Sequence, residues 1–311
     1  MSHPTDIPSQ KGHDLMSDII NIEGHEVRIT NPEKILWQDL GIRKIDYITY
    51  LIKISPYLLP HTKNRLLTTI RYPDGIEGKS FYQKNIPVYA PKWIKKVRWK
   101  NVNYILLNDK ATLIWSGNQA ALEFHTAFNL YMNEMYPTSL VFDLDPAKGQ
   151  DFEQVAEIAL LINDTLSSLN ITSYLKTSGA TGIQIYIPVG VRYDYDTARK
   201  INHFFGLYFS QKYPDKITIE RMINKRGTKL YFDYLQMWHG KTITAVYSPR
   251  ANKSANISMP LEWDELKKGI KPEDFTLLNA EKRLEEKGDL FAPLLDQQYQ
   301  QNLDEILKFM N

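Results

Sequence analysis

The sequence predicts a mixed α/β or α+β fold built around a mixed sheet, and two observations support this. Strand-like and helix-like segments alternate between residues 139 and 211. Three strand-like runs then follow one another without a helix between them, at 217–221, 229–235 and 242–247. A doubly wound parallel sheet requires a crossover helix between neighbouring strands, so a mixed sheet flanked by helices is expected.

Length and composition narrow the class of protein. The chain has 311 residues, of which 43% are hydrophobic, which suits one large domain or two packed lobes. The absence of cysteine excludes disulfides, thiolate metal sites and a cysteine nucleophile, and it suits a reducing cytoplasm. No apolar run approaches the roughly 18 residues of a membrane span. We expect a cytoplasmic protein without a membrane partner, with an unstructured leader at residues 1–20.

The first half of the chain predicts both helices and strands. Asn31-Pro32-Glu33-Lys34 is typical of a turn or a helix start, and a helix is predicted over 44–58. A strand over 66–72 followed by the Pro73-Asp74-Gly75 turn indicates a hairpin. Basic residues alternate with tryptophan at 92–100, which predicts an exposed loop or edge strand. The apolar spacing over 119–132 predicts a helix.

The centre of the chain carries the alternating pattern. Strands are predicted over 139–144, 172–177 and 183–188, with amphipathic helices over 152–169 and 195–211. These elements precede the three consecutive strands described above.

Charge is unevenly distributed along the chain, although the net charge is only +2. Residues 31–110 hold 15 basic and six acidic residues, whereas 134–164 hold seven acidic residues and one lysine. Basic segments around an acidic centre favour a polyanion held beside a cation site. Aromatic residues between the basic ones suit the stacking of nucleic-acid bases. Ordinary solvated surface and buried core are the alternatives.

The strongest local signal is the run Leu140-Val141-Phe142-Asp143-Leu144-Asp145-Pro146. Side chains alternate along a strand, so Asp143 and Asp145 share the face opposite the apolar residues. Two neighbouring carboxylates repel each other unless a cation lies between them, and hard oxygen ligands select Mg²⁺ or Mn²⁺. A pair of loop or helix-capping aspartates is the alternative.

A third carboxylate, Asp233, lies in the apolar run 229–235. An ionised group at such a position needs a compensating cation or donor. Three strand-borne aspartates can hold two metal ions for an in-line displacement on a nucleotide triphosphate. Pairing of Asp233 with Arg226 or Lys229 is the alternative.

Three further features are candidates for phosphate binding. The Thr177-Ser178-Gly179-Ala180-Thr181-Gly182 turn can direct backbone N–H groups at a phosphate, although a plain hairpin is the commoner use. Arg226 and Arg250 can clamp phosphate oxygens, or lie on the surface. His125 has no second histidine at metal-ligand spacing, so it is not a zinc ligand, and its role is left open by the residues alone.

Taken together, these segments resemble the polymerase domain of bacterial ATP-dependent DNA ligase D. That family belongs to the archaeo-eukaryotic primase superfamily and acts in non-homologous end joining. The resemblance covers residues 31–263. The motifs that carry it are Asn31-Pro32-Glu33-Lys34, Arg71-Tyr72-Pro73-Asp74-Gly75, Phe81-Tyr82-Gln83-Lys84, Leu122-Glu123-Phe124-His125, Phe142-Asp143-Leu144-Asp145-Pro146, Lys176-Thr177-Ser178-Gly179, Asp233-Tyr234-Leu235-Gln236, Tyr247-Ser248-Pro249-Arg250-Ala251 and Pro260-Leu261-Glu262-Trp263.

The resemblance implies a primase-polymerase-like fold, with mixed, largely antiparallel central sheets and a single catalytic domain of two packed lobes over residues 21–311. It implies a polymerase that fills gaps and extends ends at double-strand breaks, prefers ribonucleotides and uses two divalent ions, Mn²⁺ or Mg²⁺. The implied partners are broken DNA with a 5′-phosphate, NTP or dNTP, the Ku protein and a DNA ligase activity. A dimer across a synapsed break and a location at the nucleoid are also expected.

Site residues follow from the same resemblance. Asp143, Asp145 and Asp233 match the family's metal-binding and catalytic aspartates. The nucleotide-binding positions are matched by His125, Ser178, Gln184, Arg226 and Arg250. Lys34 and Lys44 match the lysines that recognise the 5′-phosphate, while Arg71 and Phe81 match template-binding positions.

The chain departs from the family pattern at two places, the glycine-containing turn and the position after Asp233-Tyr234-Leu235-Gln236. The family commonly has Ser-Gly-x-Lys-Gly-x-His, whereas this chain has Thr181 and Gln184 at the last two polar positions. The loss of a cation and a titratable donor predicts slower catalysis or a differently held triphosphate. Met237 also replaces a polar residue. No Lys-x-Asp-Gly motif for nucleotidyl transfer to a lysine is present, so nick sealing by that chemistry is not expected of this chain.

Two other functions are kept as alternatives. A primase that starts RNA strands shares the metal-binding aspartates but does not require a 5′-phosphate pocket. A non-catalytic module that bridges DNA ends would be consistent with Thr181 and Gln184. The sequence leaves open the choice of sugar, the oligomeric state and whether a ligase lies on the same polypeptide.

Overall fold

The computed structural model describes residues 18–310, and within them the chain forms 16 strands and seven α-helices. The strands are β1 (Asp18–Ile22), β2 (His25–Ile29), β3 (Ile35–Trp37), β4 (Ile42–Arg43), β5 (Leu67–Arg71), β6 (Phe81–Gln83), β7 (Lys96–Trp99), β8 (Val102–Ile105), β9 (Ala121–Ala127), β10 (Ser139–Asp145), β11 (Tyr174–Thr177), β12 (Ile183–Pro188), β13 (Ile217–Thr218), β14 (Leu230–Phe232), β15 (Thr242–Thr244) and β16 (Pro260–Leu261). The helices are α1 (Lys44–Thr62), α2 (Lys110–Asn118), α3 (Phe152–Ser168), α4 (Tyr195–Lys212), α5 (Trp263–Leu266), α6 (Ala280–Lys287) and α7 (Asp304–Phe309).

The larger sheet has six strands in the order β13-β14-β10-β12-β11-β16, and every pairing except β13 with β14 is antiparallel. Helices α3 and α4 pack on it. Phe142, on the apolar face of β10, is fully buried and contacts the rings of Phe205 and Phe209 of α4 and of Phe232. The alternation in β10 thus separates an apolar face from the face that carries the aspartates.

The second main sheet has four antiparallel strands in the order β15-β9-β5-β6. Helix α2 packs on β9 and α1 packs on α2. The close approach of these helices depends on Gly117, since a Cβ at that position would overlap a methyl carbon of Leu51. Two-stranded pairs β1-β2, β3-β4 and β7-β8 complete the sheets of the described residues.

The two main sheets enclose a shared interior. Buried side chains of both sheets belong to one contiguous hydrophobic core. A cavity of about 60 Å³ lies between the sheets and is lined from one side by Lys176 and Tyr186 and from the other by Thr126 and Thr244. The polar face of the six-stranded sheet therefore faces the four-stranded sheet.

Most predicted elements are present with shifted bounds, and the predicted hairpin forms because β5 and β6 pair antiparallel. The predicted edge strand is β7, and Asn31-Pro32-Glu33-Lys34 is a turn. The predicted helix over 119–132 is wrong, because residues 121–127 form strand β9. Both faces of β9 are buried, so the period-two pattern that marks a half-exposed strand is missing.

Two other predictions need correction at their boundaries. Residues 18–20 of the predicted leader lie in β1, where they pair with β2, while the rest of the leader lies outside the described residues. Asp233 was expected inside a strand, but β14 ends at Phe232 and Asp233 instead caps a short 3₁₀ turn. Among the described residues, no helix is both long and apolar enough to cross a membrane.

The aromatic contacts under β10 predict a large stability effect. Replacing Phe142 with alanine removes a fully buried ring and should lower the free energy of unfolding by about 3–5 kcal/mol. The matched control is Phe309→Ala, because that ring is 79% exposed, and its effect should stay within about 0.5 kcal/mol. Urea denaturation followed by circular dichroism measures both, and equal effects would contradict the assigned packing.

Candidate metal centre and basic surface

The structure brings the three predicted aspartates together. One carboxylate oxygen from each of Asp143, Asp145 and Asp233 lies within 4.8 Å of the others, and all three residues are half-buried. Asp143 and Asp145 share one face of β10, and the backbone N–H of Asp233 donates to the carbonyl of Asp143 at 2.9 Å. The end of β14 is therefore joined to β10 beside the aspartate pair.

Hydrogen bonds fix the third carboxylate. Oδ1 of Asp233 accepts from the hydroxyl of Tyr231 at 3.1 Å and from the backbone N–H of Leu235 at 3.0 Å. No salt bridge joins Asp233 to Arg226 or Lys229 among the described residues, so the alternative pairing from the sequence is not formed. The carboxylate of Asp233 is thus held beside those of Asp143 and Asp145.

The pKa values of Asp143 and Asp145 are both raised. Burial and the charge of Asp145 raise the pKa of Asp143 to about 7. Burial and the charge of Asp233 likewise raise the pKa of Asp145, against the opposing effect of Arg226. This clustering of negative charge favours a divalent cation, and the carboxylate oxygens suit Mg²⁺ or Mn²⁺. The three carboxylates therefore fit the divalent ion, Mg²⁺ or Mn²⁺, that the sequence predicts.

A neutral amide lies directly beside this cluster. Gln184 is opposite Asp143 in the β10-β12 pairing, and its Nε2 donates to Oδ1 of Asp143 at 3.1 Å. Its Oε1 accepts from the ammonium of Lys176, the opposite residue on β11, at 2.5 Å. Gln184 was predicted to contact the nucleotide, and in this structure both ends of its amide contact protein groups.

The predicted glycine-containing turn connects β11 to β12. The hydroxyl oxygen of Ser178 accepts from the backbone N–H groups of Ala180 at 3.2 Å and Gly182 at 3.0 Å, which leaves its own proton available for donation. Gly179 has φ of +73°, and a Cβ there would lie 2.6 Å from Cγ of Arg250. Only glycine allows the turn to approach that arginine so closely.

Arg250 connects the two main sheets at this turn. Its Nη1 donates to the carbonyl of Ser178 at 3.3 Å and to Oγ1 of Thr244 at 2.9 Å, and its Nε lies 3.0 Å from Oε2 of Glu123. These contacts hold the guanidinium beside the turn. A fork fixed in this way suits the bidentate binding of phosphate oxygens.

His125 is held by the same carboxylate. Its Nε2 lies 3.0 Å from Oε2 of Glu123, and its Nδ1 lies 3.5 Å from Oγ1 of Thr244. Burial lowers the pKa of His125 despite the nearby Glu123, which favours the neutral ring. Since the carboxylate only accepts, Nε2 carries the proton of the neutral ring. Glu123, whose pKa stays below its ordinary value despite burial, orients both His125 and Arg250.

Arg226 is close to the aspartates but bonded within its own loop. Its Nε donates to the carbonyl of Glu220 and its Nη2 to the carbonyl of Arg221, both at 2.9 Å, while the guanidinium lies 3.6 Å from the centre of the Tyr231 ring. Its charge opposes the rise in the pKa of Asp145. Arg226 therefore adds positive charge beside the metal centre.

A second group of predicted residues forms a basic surface at the start of α1. Lys44 is buried, and its ammonium donates to the carbonyl of Thr30 at 2.6 Å. Burial, together with the charges of Lys34 and Arg71, lowers the pKa of Lys44 to about 8. Lys34 pairs with the exposed Asp74 at 2.9 Å. Three cations thus lie near one another, and only Lys34 has a carboxylate partner among the described contacts.

The predicted template residues lie beside each other in the β5-β6 pairing. Arg71 is opposite Phe81, and its guanidinium lies 5.2 Å from the centre of that ring. The guanidinium also donates to the carbonyl of Gln119 at 2.7 Å. Phe81 is 46% exposed, so its ring is available for stacking while Arg71 supports it from the sheet.

Comparison with known proteins assigns the family. The family model described as "LigD, primase-polymerase domain" matches residues 43–291, which include the three aspartates and Arg250. The chain belongs to this family. The family resemblance proposed from the sequence motifs is confirmed, and so is the class of enzyme, since the LigD primase-polymerase family is a family of polymerases.

Curated relatives and a solved structure agree with this assignment. The bifunctional non-homologous end joining protein LigD of Bacillus subtilis is 38% identical over 264 residues, covering 85% of this chain and 43% of the relative. The multifunctional LigD of Mycolicibacterium smegmatis is 31% identical, with coverage of 86% and 36%. The chain therefore spans less than half the length of these LigD proteins.

The solved polymerase domain of Mycobacterium tuberculosis ligase D, in complex with DNA, has the same fold. It superposes with a TM-score of 0.78 at 27% identity, and the match covers 86% of this chain and 98% of the solved chain. The predicted fold class, mixed and largely antiparallel sheets flanked by helices, is confirmed by this LigD domain and by the sheet pairings.

Sequence reasoning missed three residues of this LigD site, namely Glu123, Lys176 and Thr244. Glu123 was overlooked because its strand was interpreted as a helix. Lys176 has the feature that singles out Asp233, a charged residue among apolar neighbours in a strand-like run. The same argument applied to Lys176 would have found it. Thr244 offers no signal in the sequence, because its contact with Arg250 depends on tertiary structure.

The raised pKa of Asp143 predicts how stability depends on pH. Between its ordinary pKa near 4 and about 7 the metal-free folded protein binds more protons than the unfolded chain, so the free energy of unfolding falls as pH rises. Asp143→Asn should therefore raise the melting temperature at pH 8 in the presence of a chelator, by about 3 °C or more. The gain should shrink as pH falls from 7 towards 4.

Asp194→Asn is the control of opposite sign. Asp194 caps α4, and the N–H of Thr197 holds the pKa of Asp194 below its ordinary value, so removal of this charge should lower the melting temperature at pH 8. Added Mn²⁺ should stabilise the wild type more than Asp143→Asn. An Asp143→Asn protein that melts below the wild type at pH 8 without metal would contradict the assigned repulsion.

Proposed function

We propose that this chain is a polymerase that fills gaps and extends ends at DNA double-strand breaks, as part of non-homologous end joining. The observation that carries the proposal is the cluster of Asp143, Asp145 and Asp233 within 4.8 Å, inside a LigD primase-polymerase fold. The relatives' names, which describe non-homologous end joining proteins, support the pathway.

In this proposal the three carboxylates hold two divalent ions, Mn²⁺ or Mg²⁺. Bound there, the ions supply charge neutralisation at the 3′-hydroxyl and the triphosphate of the incoming nucleotide. Asp143 and Asp145 extend from the same face of β10, so the strand geometry sets the spacing between their two carboxylates. Asp233 closes the site from the end of β14.

The triphosphate is proposed to lie against the turn between β11 and β12. Ser178 offers a hydroxyl proton and Arg250 offers a guanidinium fixed from both sheets. Arg226 adds charge from the opposite side of the aspartates, and release from its loop carbonyls would free its donors for phosphate. His125 contributes through Glu123, which it shares with Arg250, and Gln184 contributes through Asp143.

The basic surface is proposed to bind the DNA on the two sides of the break. Lys44 and Lys34 would recognise the 5′-phosphate, because a phosphate dianion offers compensation that the buried Lys44 lacks in the described structure. Phe81 and Arg71 would support the template by stacking and charge. The M. tuberculosis domain of this fold was solved in complex with DNA, which supports a DNA ligand.

The remaining assignments rest on the family resemblance of the sequence motifs. We propose a preference for ribonucleotides, cooperation with the Ku protein and with a DNA ligase activity, a dimer across a synapsed break, and a cytoplasmic location at the nucleoid. Because the given sequence contains no Lys-x-Asp-Gly motif, ligase activity belongs in this proposal to another segment or another polypeptide.

Primer extension on a gapped duplex tests the polymerase function. With Mn²⁺ and ribo- or deoxyribonucleotides, the wild type should extend the primer and Asp143→Ala should lose activity by about 100-fold or more, while DNA binding persists. The control is Asp151→Asn, an exposed capping residue of α3 whose change keeps the cap. Full activity of Asp143→Ala would refute the metal centre.

The same assay separates the alternatives. Extension that does not respond to a downstream 5′-phosphate would favour the primase. If the wild type binds gapped DNA in a phosphate-dependent way but does not extend the primer, the end-bridging module is favoured. Thr181 and Gln184 are then the residues to change to the lysine and histidine of the family motif.

Lys44→Met tests recognition of the 5′-phosphate. Methionine keeps the buried volume and removes the charge, so stimulation by the phosphate should fall by about tenfold while extension on a 5′-hydroxyl gap is unchanged. Lys53→Met is the matched control, because Lys53 lies on the same helix and is exposed, paired with Glu281. Equal stimulation in Lys44→Met and Lys53→Met would place the phosphate elsewhere.

A further inference from the structure

A row of polar residues crosses three strands of the six-stranded sheet, β11, β12 and β10, and reaches Asp233 just after the end of β14. Lys176 is opposite Gln184 on the neighbouring strand, Gln184 is opposite Asp143, and the N–H of Asp233 donates to the carbonyl of Asp143. Directly opposite residues of antiparallel strands point to the same face. The row therefore begins at a buried ammonium and ends in the metal centre.

The ammonium of Lys176 has only neutral partners. It donates to Oε1 of Gln184 and to Oγ of Ser258, and it lies 5.9 Å from the centre of the Tyr186 ring. The hydroxyl of Ser258 donates to the carbonyl of Thr177 at 2.9 Å, so its lone pairs are left to accept from Lys176. Lys176 is only 1% exposed, and no carboxylate contacts its ammonium among the described residues.

This arrangement fixes which end of the amide faces the metal centre. An ammonium can only donate, so the oxygen of Gln184 must face Lys176. The NH₂ group is then directed at Oδ1 of Asp143, to which it donates at 3.1 Å. If Lys176 were absent, the amide could rotate and present its oxygen to the carboxylate, which would repel it.

We propose that Lys176 is a positioning residue of the metal centre, which acts through Gln184 to hold Asp143 in the orientation that binds the divalent ion. This inference rests on the proposed two-metal function. Among the described contacts, the ammonium of Lys176 bonds to Gln184 and Ser258 and to none of the three aspartates. It determines the direction of the Gln184 dipole, and that dipole restrains one carboxylate oxygen while the other remains for the ion.

Mn²⁺ binding by the full chain, without nucleotide or DNA, tests the inference. The free ion is followed by electron paramagnetic resonance for the wild type, Lys176→Met, Gln184→Met and the double variant. Each single variant should weaken Mn²⁺ binding by about tenfold. Because both act through one amide, the double variant should bind no more weakly than either single variant. Lys216→Met, at an exposed lysine beside the same sheet, should bind as the wild type does.

Several results would overturn the proposal. Additive losses in the double variant, about 100-fold, would mean that the two residues act independently. Unchanged Mn²⁺ affinity in Lys176→Met, with only a lower melting temperature, would make the lysine purely structural. Should Lys176→Met fail to fold, Gln184→Met still decides, because unchanged Mn²⁺ binding in that variant excludes the pathway through the amide.

Asp143→Ala separates this inference from the proposed function. Loss of Mn²⁺ binding in Asp143→Ala with normal binding in Lys176→Met would overturn only the role of Lys176. Normal Mn²⁺ binding in Asp143→Ala would remove the metal centre itself and the proposed function with it.

Discussion

The register of β10 between β12 and β14 is the constraint on which the rest of the site depends. Asp143 has Gln184 opposite it on one side and Asp233 aligned with it on the other. A shift by one residue would turn both aspartates of β10 into the apolar layer against α4 and expose Phe142 in their place. The buried aromatic contacts of Phe142 therefore fix the geometry of the carboxylates as firmly as any polar contact does.

Charged groups of both signs lie near the metal centre. The three carboxylates repel one another, whereas the cations near them are held by neutral groups: Lys176 by an amide and a hydroxyl, and Arg226 by carbonyls. Of the cations beside this site, Arg250 alone has a carboxylate, Glu123, close to its guanidinium within residues 18–310. Without ions the site therefore carries unneutralised charge of both signs. In the proposed function, metal ions would compensate the carboxylates and a polyphosphate would compensate the cations.

The sequence predicted those parts of the fold that depend on local pattern. Alternation in 139–145 placed Asp143 and Asp145 on one face, and the glycine turn after Thr177 was located correctly. Patterns failed where both faces of a strand are buried, as in β9, since neither the strand nor the role of Glu123 could be read from its periodicity. The bonds of Arg226 to its own loop could not be predicted either, because they depend on a loop conformation without a regular pattern.

The burial of Lys44 would also couple binding of the proposed 5′-phosphate to proton uptake. With a pKa of about 8, this side chain is partly neutral in mildly alkaline solution. A phosphate dianion beside it would raise that pKa again, so each binding event in such a solution would take up a fraction of a proton from the buffer. The calorimetric enthalpy of binding would then vary with the ionisation enthalpy of the buffer. A lysine exposed to water would show no such variation.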